Sequence, residues 1–546
     1  MKRLSFILCL VLLAASPLKA VPIHFDGPAG TVPQYGRADF DITLSGNWSN
    51  PYLQEEVTLD LVLTAPSGAL LRVPCFYVGG EGPESSRWAA RFTPQEKGVY
   101  TYCFTCTESG KETETSIPGQ LRVGPPKGEH GILHVRDNWT LVYDDGTLFR
   151  GIGENICWES RTEDDSRYFK ALHERHERYN YPVMLPALAA AGGNFTRMWM
   201  CSWNFPIDRH RDFNNSRYEA SEEYFNPSAV RRLDEVITLA EQEGIRIMLC
   251  MGPGDVPTGR DFFISAEAKA RYRNYLRYIV ARWGYSPSVA MWEFFNEIDN
   301  IQFRRADKPI PAEEIVAWHA EMAAYLKGLD PFGHIVTTSI SHRDLEGLND
   351  IADIDINQKH IYCATSDIPG TIRRYEKEHG KPYVIGEFGY EWDWSKNFDD
   401  FAGDMDADFR RGLWYGLFSP TPVTPMSWWW EWFDRRGLMS YFRHVRTVSD
   451  RMLLFGKGAF EPVKARADGC DAYAVCCGKR TYVYIYNPGP GKAESVAVSL
   501  SDGRRASTYD WTAGSFGPAT CIKARGGRIL LTLALGPKEE ALFEIR

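Results

Sequence analysis

Between about residues 129 and 456 the chain alternates short, apolar, β-rich runs with helical stretches, and this rhythm constrains its fold more than any other feature. The runs lie at 148–153, 194–199, 245–249, 288–292, 334–337, 354–357, 383–386 and 425–430, with helices predicted at 227–243 and 266–283 among the intervening segments. Strands that alternate with helices pair in parallel, because each crossover helix returns the chain to the same end of the sheet. Eight such units in about 330 residues predict a (β/α)8 TIM barrel with insertions.

The flanks read differently. Residues 22–125 carry short alternating runs separated by turns, among them Phe40-Asp41-Ile42-Thr43-Leu44 and Trp88-Ala89-Ala90-Arg91-Phe92, which predict an antiparallel sandwich of immunoglobulin-like type. Pro125-Pro126-Lys127-Gly128 reads as a linker, and β-rich runs return after about 457, as in Arg480-Thr481-Tyr482-Val483-Tyr484-Ile485-Tyr486. The expected organisation is a signal peptide at 1–20, an N-terminal immunoglobulin-like β-sandwich at 21–126, a catalytic barrel at 127–456 and a small C-terminal β-sandwich at 457–546. The fold class is therefore α/β, a barrel with a β-sandwich on either side.

The leader has basic Lys2 and Arg3, an apolar core from Phe6 to Ala15 and a small-residue cleavage site at Leu18-Lys19-Ala20, which predicts a secreted or periplasmic protein. No later run reaches the roughly 18 apolar residues a membrane span needs, so no membrane insertion is expected. Losing Lys2, Arg3 and Lys19 with the leader takes the formal charge from −9 to −12, which excludes a nucleic-acid partner. Of 12 cysteines, 11 remain once Cys9 is removed, spread thinly enough to be mostly buried free thiols, with room for one or two disulfides. His173, Glu174, His176 and Glu177 lack the HExxH spacing and read as a charged helix face, so neither a metal nor any other cofactor is expected.

Two of the runs end in glutamate: Trp292-Glu293-Phe294-Phe295-Asn296-Glu297 and Gly386-Glu387-Phe388-Gly389. The C-terminal ends of barrel strands are where catalytic groups gather. Cleaving a glycosidic bond takes one carboxylic acid to protonate the departing oxygen and one carboxylate to attack or stabilise the anomeric centre. Glu297 and Glu387 end strands four and seven, which face each other across part of the barrel mouth. The 17 tryptophans fit flat platforms for sugar rings as well as large cores. Glu154 and Asn155, ending strand one, are placed to touch substrate.

Asn-Glu after strand four and a glycine-flanked glutamate after strand seven resemble clan A of the retaining glycoside hydrolases, the superfamily of cellulases, mannanases and many β-glycosidases. The resemblance implies a carbohydrate substrate, Glu297 as general acid/base, Glu387 as nucleophile, a separation around 5 Å and net retention. It further implies that Asn296 binds the sugar 2-hydroxyl, that Arg197 supports the nucleophile and that Tyr362, in His360-Ile361-Tyr362, hydrogen-bonds Glu387. A strand-eight tryptophan would floor the reactive subsite, Trp430 ahead of Trp428 because it lies nearer the strand end. The chain departs from many family 5 members at Met251-Gly252-Pro253-Gly254-Asp255, where their histidine after strand three is missing. The rival readings are a carbohydrate-binding barrel without catalysis and a transglycosylase using the same two glutamates.

Overall fold

The computed structural model describes residues 23–546 except 47, 81–84, 162–166, 169, 172–179, 212, 214–216, 253–257, 306, 491–492, 501–504, 523 and 526. The leader and the His173–Glu177 cluster lie outside the described residues. At the N-terminal end two sheets pack face to face, one of four strands and one of six. Strand Ala38–Leu44 shows why they form: Ala38, Phe40, Ile42 and Leu44 are buried and the residues between them are exposed. That period of two points one face at the other sheet's Leu59, Leu61, Leu63 and Phe104. All pairings are antiparallel except Gly119–Gly124 with Thr31–Pro33. This unit is fastened to the barrel through buried polar contacts, including Arg277 to Asp60 at 2.6 Å and the Thr93 hydroxyl donating to the Tyr285 carbonyl at 2.6 Å.

The barrel has seven consecutive parallel strands, Gly153–Asn155, Phe195–Trp199, Arg246–Cys250, Val289–Glu293, Ile335–Ile340, Ile356–Tyr362 and Tyr383–Gly389. An eighth segment, 423–427, closes it through parallel bridges of Val423 to Gly151 and of Ser427 to both Glu154 and Phe388. Pro422 and Pro425 carry no N–H, so this segment makes isolated bridges rather than a continuous ladder. Met248, Met291, Ile335, Ile356, Val384 and Met426 fill the interior.

Two sequence expectations shift. Leu148–Phe149 does not belong to the first barrel strand; it pairs with Leu141–Tyr143, which pairs with Leu133–Val135, in a small antiparallel sheet whose side chains join the interior cluster from below. The barrel strand begins at Gly153, where a Cβ would sit 1.8 Å from the Phe195 carbonyl oxygen, so only glycine permits that approach. The eighth run also stops earlier than expected. Trp429 takes φ 66° and Trp430 opens a helix to Arg435, so the alternation expected through Trp430 ends at Trp428.

Beyond Phe460 the chain forms a second pair of sheets, of seven and four strands. It docks on the barrel through Glu540, which accepts from the Tyr441 and Tyr484 hydroxyls at 2.6 and 2.8 Å, and through Trp414 stacked on Tyr484 at 5.6 Å. The 11 described cysteines are all free thiols, and no described helix is long and apolar enough to cross a membrane.

Candidate active site

The inward faces of strands two, four, six and seven build a single polar network. On strand two Arg197 is fully buried and points into the barrel. Its Nε and Nη2 donate to the two oxygens of Glu293 at 2.6 and 2.8 Å, its Nη1 donates to Glu387 Oε1 at 2.6 Å, and its Nη2 also donates to Asn296 Oδ1 at 2.8 Å. One planar fork thus fixes two carboxylates and an amide, which a lysine could not do. Burial alone would lower the guanidinium; Glu293 and Glu387 outweigh it and hold Arg197 well above its ordinary value.

Strand six supplies the second set of contacts. Gln358, His360 and Tyr362 share one face by the period of two. Pairing with strand seven slips between Lys359 and His360, so that His360 lies opposite Glu387. Such a bulge re-aims side chains beside a site. The slip depends on Gly386, where a Cβ would fall 1.6 Å from Gln358 Oε1. The Tyr362 hydroxyl donates to Glu387 Oε2 at 2.7 Å, and Gln358 donates to Glu293 at 3.1 Å. His360 Nδ1 stands 2.9 Å from Glu297 Oε1 and 3.4 Å from Glu387 Oε2, between the two acids.

Glu297 follows strand four in the left-handed region, φ 48° and ψ 59°. For a residue with a Cβ this costs roughly 1–2 kcal/mol. The conformation is held from below: the Glu297 N–H donates to Ser339 Oγ at 2.9 Å and the Asn296 N–H to the Gly252 carbonyl at 2.9 Å. The turn aims the carboxyl into the mouth, where Asn300 donates to its second oxygen at 2.7 Å. The two acids differ in exposure, the Glu297 side chain being 20% exposed and that of Glu387 5%. Burial pushes the Glu387 carboxyl above the usual carboxylate value; His360, Arg197 and the Tyr362 hydrogen bond pull against that rise, and the charge of Glu297 adds to it. One ligand atom from each of Glu297, His360 and Glu387 lies within 4.8 Å of the others, so this trio is also where a cation would find ligands. The Arg197 guanidinium, already 2.6 Å from Glu387, competes with any such ion.

The cleft above them, about 530 Å³, is lined by Glu297, Glu387, Asn296, His360, Tyr362 and several tryptophans. Trp428 is the strand-eight tryptophan in that lining, together with Trp199. Trp430 is fully buried, packed edge-on against Trp428 at 5.1 Å and Trp158 at 5.0 Å, because the chain has already turned into its helix. Glu154 and Asn155 are fully buried as well and do not line the cleft. Asn155 clamps the barrel, donating to the carbonyls of Gly386, Ser427 and Met426 at 3.0 to 3.2 Å. Glu154 points away from Asn155, and burial, with the charges of Asp434 and Glu431, pushes its carboxyl well above the usual value against a weak bond from Ser427. A strand end places alternate residues on opposite faces, and here neither face of strand one opens to the mouth.

The sequence does not single out Asn300, Ser341 or His342 of the lining, nor Glu293 buried beneath it, nor two tryptophans at its rim. Glu293 is the acid between Trp292 and Phe294, and a charged residue inside so apolar a run was the available signal. Trp392 and Trp394, 60% and 50% exposed, sit in the cleft on the loop that follows Glu387. Large exposed tryptophans beside a polar cleft are uncommon unless they meet a ligand. Trp392→Ala should therefore raise KM for a long glycan about tenfold with kcat nearly unchanged, equivalent to ~1.4 kcal/mol of binding; steady-state kinetics on a chain-length series checks this, and a loss confined to kcat would remove the residue from binding.

A family model described as a domain of unknown function (DUF5060) matches residues 31–107, the first sandwich. Over the barrel the chain is 24% identical to mannan endo-1,4-beta-mannosidase A of Podospora anserina across 293 residues, 46% of this chain and 73% of that protein. It is 28% identical to mannan endo-1,4-beta-mannosidase F of Aspergillus clavatus across 218 residues, 32% of this chain and 46% of that protein. Over the barrel the chain resembles clan A of the glycoside hydrolases. In fold, the chain also matches a crystal structure from Bacteroides vulgatus, whose glycoside hydrolase assignment is itself provisional, with TM-score 0.64 at 15% identity over 95% of this chain and 99% of that one. That match covers both flanking sheet regions as well as the barrel. The chain spans about half the length of the Aspergillus relative, so the likeness to the curated mannosidases is a likeness of barrels.

Proposed function

We propose that the protein is a secreted, retaining glycoside hydrolase that cleaves β-glycosidic bonds in a polysaccharide or oligosaccharide by double displacement. The carrying observation is the approach of the Glu297 and Glu387 carboxylate oxygens to within 4.8 Å. Retaining enzymes hold their two carboxyl groups about 5–5.5 Å apart, whereas inverting enzymes need about 6.5–9.5 Å to seat a water between them. Glu387, fixed by Arg197 and Tyr362, attacks the anomeric carbon; Glu297, the more exposed acid, gives its proton to the departing oxygen. In the second half Glu297 takes a proton from water, which displaces Glu387 and restores the starting configuration. Asn296, its Oδ1 engaged by Arg197, presents its amide N–H to the sugar 2-hydroxyl. Trp428 floors the reactive subsite. The names of the Podospora and Aspergillus relatives make β-1,4-mannan the first substrate to test. Proton NMR of the first-formed reducing sugar decides the stereochemistry: a β-anomer supports the mechanism, and an α-anomer overturns it.

The pH dependence follows from Glu387. Protonated, it cannot attack, and burial raises its pKa above 4.5, so the acid limb of kcat/KM should fall above pH 4.5. The same shift acts on stability with a definite sign: the folded chain binds this proton more tightly than the unfolded one, so the contribution of Glu387 is full below its unfolded pKa and is lost as pH rises through the folded value. A kcat/KM profile flat down to pH 4 would remove Glu387 from the role of nucleophile. The boundaries at 126/127 and 456/457 divide the chain into sandwich, barrel and sandwich, and the residues beyond the leader make up the exported protein.

A further inference from the structure

The reaction described above uses Glu297 but not the residues that continue the cleft beyond it. Glu297 Oε1 faces His360 Nδ1 at 2.9 Å, and that nitrogen also meets Glu387 at 3.4 Å. Glu297 Oε2 instead accepts from Asn300, which lies on the short helix Ile298–Gln302 opening at Glu297. From Asn300 the lining runs on to Ser341 and His342, which follow strand five, Ile335–Ile340. Strand five stands beside strand four, which leads to Glu297, whereas Trp392 and Trp394 lie on the loop after strand seven, which carries Glu387.

A buried acid fixes this wall. Asp299 is fully buried and accepts from the N–H groups of Ser341, His342 and Arg343 at 2.7, 3.1 and 3.1 Å, and from the Ser341 hydroxyl at 3.1 Å. Successive backbone donors on one carboxylate set the turn 341–343 against the helix that follows Glu297, and hydrogen bonds to an ionised acceptor are about twice as strong as neutral ones. Arg343 adds a second tie, its guanidinium lying over the Phe303 ring at 4.6 Å. With those N–H groups engaged, the turn offers side chains to the cleft. Ser341 Oγ meets His342 Nδ1 at 2.5 Å, which leaves Nε2 of a ring 62% exposed for a ligand. Amide, hydroxyl and imidazole each donate and accept, as sugar hydroxyls do.

The direction of displacement says what this wall meets. Glu387 attacks the anomeric carbon from one side, so the departing oxygen leaves on the other, beside the acid that protonates it. The sugar attached to that oxygen therefore lies on the Glu297 side of the cleft. We propose that Asn300, Ser341 and His342 form the subsite of the departing sugar, that Asp299 is the positioning residue that holds it, and that the same subsite admits a sugar acceptor. The inference rests on the glycosidase reading and adds the partner of its second half. Bond making there retraces bond breaking, so a bound sugar can take the place of water: its hydroxyl oxygen bonds the anomeric carbon, the ester bond to Glu387 breaks and Glu297 takes the hydroxyl proton. The subsite thus sets the balance between hydrolysis and transfer to sugar.

The test compares wild type, the double variant Ser341→Ala with His342→Ala, and Asp299→Asn on two substrates. Mannohexaose departs as a sugar, and β-mannotriosyl fluoride has a leaving group that fills no sugar subsite. The ratio of kcat/KM on mannohexaose to that on the fluoride should fall about tenfold in the double variant, the worth of one or two hydrogen bonds to the departing sugar. With the fluoride as donor and mannobiose as acceptor, the yield of mannopentaose relative to mannotriose should fall by a similar factor. Asp299→Asn should move both readings the same way. His342 is exposed and Ser341 partly so, which lets the double variant decide the matter should the buried substitution fail to fold. A ratio unchanged in the double variant would overturn the subsite, whether both activities persist or both fall together, and an unchanged mannopentaose yield would overturn the acceptor role. Should wild type cleave neither substrate, the glycosidase reading falls and imidazole NMR judges the subsite: the His342 ring signals, identified by their loss in the double variant, should shift on adding mannobiose, and signals that stay in place would overturn it.

Discussion

Replacing Glu387 with alanine is expected to lower kcat/KM on a β-linked glycan by about four orders of magnitude, roughly 5.4 kcal/mol of transition-state stabilisation. The reason is chemical rather than structural. Without a carboxylate below the anomeric carbon no covalent intermediate forms, and Glu297 alone protonates a bond that nothing attacks. The vacated volume gives the assignment a sharper test. Sodium azide should enter beside Arg197, attack in place of the carboxylate and yield a glycosyl azide of inverted configuration. Glu297→Ala should behave differently, sparing substrates with good leaving groups and yielding an azide of retained configuration, because Glu387 still forms the intermediate. The two variants with opposite azide stereochemistry would fix both roles at once. Inverted azide from Glu297→Ala would exchange them, and full hydrolysis by Glu387→Ala would exclude both. A non-catalytic sugar-binding barrel predicts neither product.

The barrel was legible in the chain because its signal is periodic and redundant: eight β-rich runs, most of them separated by helices, reinforce one another, and an error of a few residues in one does not change the architecture. The pairing of Glu297 and Glu387 in one cleft was legible because a glutamate closing an apolar strand is costly unless its surroundings compensate it. What was not legible turns on local geometry. Leu148–Phe149 carries the same apolar pattern as a barrel strand, and only the close approach at Gly153 separates the floor sheet from the barrel wall. Trp428, Trp429 and Trp430 read as an alternating strand, but the positive φ of Trp429 starts a helix and moves Trp430 into the core. Glu154 and Asn155 illustrate the same limit, since ending a barrel strand does not determine whether a side chain meets the mouth, the interior or the outer helices. Trp392 and Trp394 lie on an irregular loop, where sequence gives no period from which exposure could be inferred.

Arg197→Ala should be the most destabilising single change at this site. The guanidinium is fully buried and compensates Glu293, whose side chain is wholly buried, and Glu387, whose side chain is 5% exposed. Removing one partner of a buried ion pair leaves an uncompensated charge and typically costs about 3–5 kcal/mol. Arg197→Lys should recover only part of this, because a single ammonium cannot reach Glu293, Glu387 and Asn296 together. The deficit also carries a pH signature. Without Arg197 to oppose burial, the Glu387 carboxyl rises further above its unfolded value, so the variant gains relative to wild type as carboxylates take up protons and loses as they ionise. Chemical denaturation at pH 5 and pH 8 should therefore show the larger deficit at pH 8. Equal deficits at both values would mean that Arg197 acts through packing, with its stacking over Trp199 at 5.5 Å the remaining contribution. Combining Arg197→Met with Glu293→Gln should restore part of the loss, since removing both charges of a buried pair costs less than orphaning one. That double variant would stay inactive, because Glu387 would still lack the donor that holds it beneath the anomeric carbon.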